Sequence, residues 1–200
     1  MSGVKILRTG AANLASVVAA FERLDADPSI TTDFEDVLSA PSLVVPGVGS
    51  FAAVVQALTE LGLKEPLRQR VLDRRPTLAV CLGLQLLASA SDEGDGVEGL
   101  GVIPGRVRRL PDSVVVPQLG WNRVEAEPTC RLLQDGAAYF ANSYALPESA
   151  PGWSTAWSEH GAQFVAALES GPVLACQFHP ELSGTWGSAL LERWLEVARC

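Results

Sequence analysis

Thr77-Leu78-Ala79-Val80-Cys81-Leu82-Gly83-Leu84-Gln85-Leu86-Leu87 is the stretch on which the fold turns. Its apolar first half predicts a buried strand, Cys81 falls at a tight turn, and a helix begins at once. Strands that are buried on both faces belong to parallel sheets covered by helices. The preceding residues repeat the unit. Val4 to Leu7 predicts a strand, and Leu14, Val17, Val18, Phe21 and Leu24 have helical spacing. Leu43 to Val45 predicts another strand, and Phe51, Val54, Val55 and Leu58 another helix. A further helix is expected from Lys64 to Asp73. A βα repeat of this kind predicts an α/β protein with three layers, a mostly parallel central sheet between helices.

From Gly94 onward Gly and Pro cut the chain into short segments. Strands are expected at Arg106 to Leu110, Val114 to Val116, Ala137 to Ala141, Trp153 to Trp157, Phe164 to Leu168 and Val173 to Phe178, several of them antiparallel and extending the first sheet. Leu190, Leu191, Trp194, Leu195 and Ala198 share one face of a final helix. The 200 residues, 48% of them apolar, suit a single domain spanning 1–200. A formal charge of −8 without basic blocks argues against a nucleic-acid partner. No apolar run reaches the roughly 20 residues that span a bilayer, so no membrane partner is expected and the chain reads as cytoplasmic. The cysteines at 81, 130, 176 and 200 lack CxxC spacing, and His160 and His179 are the only histidines; no metal, cofactor or disulfide framework is expected.

Cys81 is the candidate nucleophile. Strand, tight turn and immediate helix form an elbow that lifts a side chain to the carboxyl edge of a sheet, facing a helix N-terminus where a thiolate is favoured. A free cysteine in an apolar run is most often a small buried hydrophobe, which is how Cys130 and Cys176 read. The second component is Gln177-Phe178-His179-Pro180-Glu181-Leu182. His179 stands where a strand ends, and in an extended segment Glu181 points to the same side, giving a base with its orienting carboxylate. The third is Val44-Val45-Pro46-Gly47-Val48-Gly49-Ser50-Phe51, a strand end whose glycines free backbone N–H groups for an oxyanion, with the N–H of Leu82 completing the set. It lacks the third glycine of a dinucleotide fingerprint.

Pro46-Gly47-Val48-Gly49, Cys81-Leu82-Gly83-Leu84-Gln85 and His179-Pro180-Glu181, in this order and separation, resemble the class I (triad) glutamine amidotransferases. The turn at Gly10 to Asn13, Pro-Gly-Val-Gly-Ser-Phe and Gln118-Leu119-Gly120-Trp121-Asn122 look most like the glutaminase subunits of imidazole glycerol phosphate synthases. The resemblance implies a flavodoxin-like fold and a catalytic triad of Cys81, His179 and Glu181. It implies an oxyanion hole at Gly47, Val48 and Leu82, and glutamine binding by Gly49, Gln85, Ser143 and Tyr144. It further implies a heterodimer with a separate (β/α)8-barrel cyclase, reached through Asn13, Trp121 and Asn122. Asn13 reads equally as a helix N-cap. Arg8-Thr9, Gln118-Leu119, Asn142 and Leu182 depart from the common family residues Asp-Tyr, His-Met, His and Lys. The alternatives are the glutaminase of an anthranilate, aminodeoxychorismate or pyridoxal phosphate synthase, and a catalytically silent scaffold on the same fold.

Overall fold

The computed structural model describes residues 3–9, 13–94 and 96–199. Its elements run β1 (Val4–Leu7), α1 (Leu14–Glu22), β2 (Pro28–Thr31), α2 (Phe34–Ser39), β3 (Ser42–Gly47), α3 (Phe51–Glu60), α4 (Lys64–Leu72), β4 (Thr77–Cys81) and α5 (Leu82–Leu87). There follow β5 (Ala88–Ser91), β6 (Ile103–Arg109), β7 (Gln118–Ala126), β8 (Gly136–Asn142), β9 (Tyr144–Ala145), β10 (Ser154–Glu159), β11 (Gln163–Ser170), β12 (Val173–Cys176) and α6 (Gly184–Ala198). A 3₁₀ turn at Pro180–Leu182 joins the last two.

Nine strands form one sheet in the order β2-β1-β3-β4-β12-β11-β10-β7-β8. The block from β2 to β12 is parallel, and β11, β10, β7 and β8 extend it by antiparallel pairing. A smaller sheet holds β5, β6 and β9. Alternation along the central strands divides the core. Leu78, Val80, Leu174 and Cys176 face one layer with Phe21 of α1 and Trp194 of α6. Ala79, Val173 and Ala175 face the other with Phe51, Leu67 and Leu82. Helices therefore cover both faces, as a two-sided apolar sheet requires.

Val114 to Val116 is not a strand. Pro111 and Pro117 bracket it, the Val114 N–H closes a turn on the Pro111 carbonyl at 3.3 Å, and Val115 is 81% exposed. A strand at this position would have nothing to cover its apolar side chains. The segment expected at Trp153 to Trp157 begins one residue later and continues to Glu159, because Glu127 accepts from both the Thr155 N–H and the Trp157 indole and fixes the strand there. The β12 strand stops at Cys176; Gln177 still bonds to the Ala166 carbonyl at 2.8 Å, but Phe178 lies beyond the ladder. Among the described residues no helix is long and apolar enough to cross a membrane.

Candidate active site

The elbow is built from tight backbone contacts. Cys81 ends β4 with φ 55° and ψ −109°, a conformation that costs a residue with a side chain free energy of order 1–3 kcal/mol and persists where surroundings impose it. Those surroundings are visible. Gly47 pairs with Cys81 in the β3–β4 register, and a Cβ at Gly83 would lie 2.1 Å from the Val45 carbonyl oxygen. Only a glycine at 83 lets α5 seat directly on β3, so the turn at Cys81 has no room to relax.

His179 approaches from β12. Its N–H donates to the Tyr139 carbonyl of β8 at 2.9 Å, and the Ser183 hydroxyl donates to the His179 carbonyl at 2.6 Å while accepting the Tyr139 N–H at 2.9 Å. Glu181 meets the His179 ring, Oε1 to Nδ1 at 2.8 Å, with both side chains buried. The sequence expectation of an extended link between them fails: Pro180–Leu182 is a 3₁₀ turn, begun by the fixed φ of Pro180, and the turn rather than strand alternation returns the carboxylate to the ring. With Nδ1 so engaged, Nε2 is the nitrogen left for the sulfur. Burial works to lower the imidazole pKa, but hydrogen bonds to Cys81 and Glu181 and their charges outweigh it, raising it from the ordinary 6.5 to about 10.

Cys81, Leu82, Gln85 and His179 open on a cleft of about 320 Å³. Val48 and Gly49 form one wall, and Ser143, between β8 and β9, and Tyr144, the first residue of β9, form another. Gly47 is buried behind this wall as the last residue of β3. Gly49 has φ +101° with open space around it, so its peptide can point toward the cleft. Gln85 is 4% exposed and donates to the Tyr144 carbonyl at 2.9 Å.

In and behind the cleft are residues that sequence reasoning missed. Glu93 lines it and accepts the Phe51 N–H at 2.8 Å, closing the first turn of α3. Nothing in the turn-forming run Ser91-Asp92-Glu93-Gly94 marks that role. Ser183, the clamp on His179, gives a weak signal only as a hydroxyl just after the His-Pro-Glu run. Asn142 lines the cleft too, its Nδ2 donating to the Tyr144 carbonyl at 3.1 Å.

The three residues assigned to a partner surface lie outside the cleft. The Asn13 side chain accepts the Ser16 N–H at 3.3 Å, the N-cap of α1; Gly10 to Ala12 of the expected turn lie outside the described residues. Asn122 is tied internally, donating to the Glu159 carbonyl at 2.8 Å and accepting the Arg123 N–H at 2.7 Å. Trp121 is 60% exposed and packs edge-to-face on Tyr139, whose carbonyl holds His179. Among the described residues no group of three or more His, Cys, Asp or Glu could hold a metal ion.

This geometry agrees with the comparison to known proteins. The family model for glutamine amidotransferase class-I matches residues 13–197. A protein of Renibacterium salmoninarum named imidazole glycerol phosphate synthase subunit HisH is 42% identical, over 98% of this chain and 94% of its own length. One of the same name from Methanothermobacter thermautotrophicus is 39% identical over 98% and 99%. A crystal structure of a glutamine amidotransferase superposes with a TM-score of 0.78 at 23% identity, covering 98% of this chain and 99% of that one, a likeness of fold. An elbow cysteine, a buried His-Glu pair and near-full-length relatives converge: the chain belongs to the class-I glutamine amidotransferases, among the relatives named imidazole glycerol phosphate synthase subunit HisH.

Proposed function

We propose that the chain is the glutaminase subunit of an imidazole glycerol phosphate synthase, hydrolysing glutamine to glutamate and ammonia through Cys81, His179 and Glu181. The observation that carries the reading is the buried His179, held by Glu181 through one ring nitrogen and lining the same cleft as a cysteine held at positive φ. A merely structural histidine gains nothing from a strained cysteine beside it, whereas a nucleophile needs both.

The sulfur of Cys81 attacks the side-chain amide carbon of glutamine, forming a C–S bond, while the carbonyl electrons move onto oxygen. Backbone N–H groups of the Gly47–Val48 strand end and of Leu82 receive that oxyanion. His179 gives its proton to the departing nitrogen, the C–N bond breaks, and ammonia leaves a glutamyl thioester. His179 then takes a proton from water, hydroxide adds to the thioester carbon, and collapse releases glutamate and the sulfur. Glu181 holds the imidazole in one orientation and offsets its charge throughout. Glu93 brings a carboxylate to the cleft lining, a charge opposite to the α-ammonium of glutamine, and Gly49, Gln85, Ser143 and Tyr144 line the same cleft and are assigned to the rest of the substrate.

Ammonia is lost to solvent unless a second active site adjoins this one, and the rim of the cleft suits a docked protein. Leu119 and Trp121 are 68% and 60% exposed on the outer face of β7, beside the strand that holds His179. We assign them to the surface that receives a (β/α)8-barrel cyclase, with Asn122 and Asn13 at its margin. The test is glutamate release by the purified chain, alone and with a cyclase subunit and that subunit's ribotide substrate. Release that rises with the cyclase and vanishes in Cys81→Ala is the expected result; no release under any condition sinks the reading.

A further inference from the structure

Gln177 has no part in the triad, yet it lies within reach of the reacting sulfur. It is fully buried, and its Nε2 is 3.6 Å from Cys81 Sγ. Its Oε1 is 3.0 Å from Gln85 Nε2, which is also 2.9 Å from the Tyr144 carbonyl oxygen. The direction of this chain follows from its first member. A peptide carbonyl can only accept, so the end of Gln85 that meets Tyr144 is its NH₂ group. The second proton of that group points to Gln177, which must answer with oxygen. The NH₂ of Gln177 is then left facing Cys81, and the sulfur meets a donor.

We propose that Gln177 is a catalytic residue that holds the attacking sulfur as an anion, its donor end turned toward Cys81 by the amide of Gln85 and the carbonyl of Tyr144. This rests on the reading of Cys81 as the nucleophile. A hydrogen bond given to the charged form of a group favours that form, and the bond gains strength where water cannot compete, as at a fully buried side chain. The neutral thiol has little in return: the Ala141 carbonyl is 4.0 Å from Sγ, at the outer limit for a sulfur donor. The anchor is rigid, since the Gln177 N–H is fixed to the Ala166 carbonyl at 2.8 Å.

The test is the rate at which iodoacetamide alkylates Cys81 in the intact chain, measured by mass spectrometry of the Cys81 peptide so that other thiols do not contribute. Gln177→Met keeps the volume and removes the donor. The expected result is a rate about tenfold lower at neutral pH, the scale of one charge-assisted hydrogen bond, with little change at strongly alkaline pH where hydroxide takes over the donor's task of favouring the anion. A folded Gln177→Met protein with the wild-type rate at both pH values overturns the proposal. Should that variant not fold, Gln85→Met decides: it leaves Gln177 in place without its orienting donor, so the neutral-pH rate should fall by about threefold, a fraction of one hydrogen bond, and an unchanged rate is equally fatal. Failure of the underlying glutaminase reading looks different. Glutamate release in the presence of the cyclase would then be absent, or would survive Cys81→Ala, whatever the alkylation rates.

Discussion

A histidine that keeps its proton up to about pH 10 cannot take one from water at neutral pH, so His179 must change between the two halves of the proposed cycle. The change follows from what raises it. Burial opposes the charged ring, and two of its supports, the hydrogen bond and the charge of Cys81, disappear once the sulfur carries an acyl group. Glu181 alone then opposes the effect of burial, and the ring becomes a usable base. Alkylated Cys81 imitates the acyl state. With only two histidines in the chain, NMR titration resolves His179 directly. Its midpoint should fall from about 10 toward the ordinary range on alkylation; a midpoint that stays put removes Cys81 from the account. The same shift governs stability. The folded state holds more protons than the unfolded chain between the ordinary 6.5 and about 10, so this contribution is complete below 6.5 and is lost as pH rises through 10. Glu181→Gln removes one of the supports: the alkaline decline in unfolding free energy should flatten. Glutamine turnover should fall about a hundredfold or more, the scale of a lost general acid-base arrangement.

The elbow is held by element packing, and one methyl group tests it. Gly83→Ala places a Cβ against the Val45 carbonyl, forcing α5 away from β3, with a loss of about 1–3 kcal/mol in chemical denaturation. Because α5 starts at Leu82, Cys81 moves with it, and alkylation of Cys81 should slow in parallel. A variant of full stability and reactivity would show that the elbow is not clamped by this contact. In the same helical layer, Arg70 of α4 is wholly buried and its hydrogen-bond partners are neutral: Thr77 Oγ1 and the carbonyls of Val37 and Pro76, at 2.7–3.2 Å. Arg70→Met strips α4 of its ties to α2 and β4 and leaves these acceptors unpaired, costing about 3 kcal/mol; a thermal midpoint within a degree or so of wild type would contradict this. The βα units were legible where a strand or helix is buried by its own periodicity. The β2 strand and α2 were not, because Pro28–Thr31 is largely exposed at the sheet edge and α2 buries Val37 alone. The β7 strand was hidden because its outward apolar residues and Gly120 mimic a loop, and Val114 to Val116 misled because three valines between prolines carry strand propensity without a partner strand.

At the scale of the molecule the parallel block and its antiparallel extension have different tasks. The parallel strands deliver Gly47, Cys81 and, through β12, His179 to one carboxyl edge; β7 and β8 supply the wall and rim. The approach of Cys81 to His179 was legible because both sit at strand ends that a parallel sheet must bring together. Glu93 and Gln177 were not, since one arrives on a turn and the other shows its direction only through three-dimensional contacts. The rim makes the last prediction. Val115, Leu119 and Trp121 are exposed apolar side chains along and just before β7, and a contiguous apolar surface beside a reactive cleft marks a docking site. Trp121→Ala should weaken binding of the proposed cyclase partner in calorimetry by about 2 kcal/mol, roughly thirtyfold in Kd, as central aromatic anchors do. Leu119→Ser should weaken it less. The isolated variants should unfold within about 0.5 kcal/mol of wild type, because the lost contacts are surface ones. If affinity is unaltered in both, the proposed cyclase docks elsewhere, and ammonia from the proposed reaction at Cys81 would have to leave by a route that avoids β7.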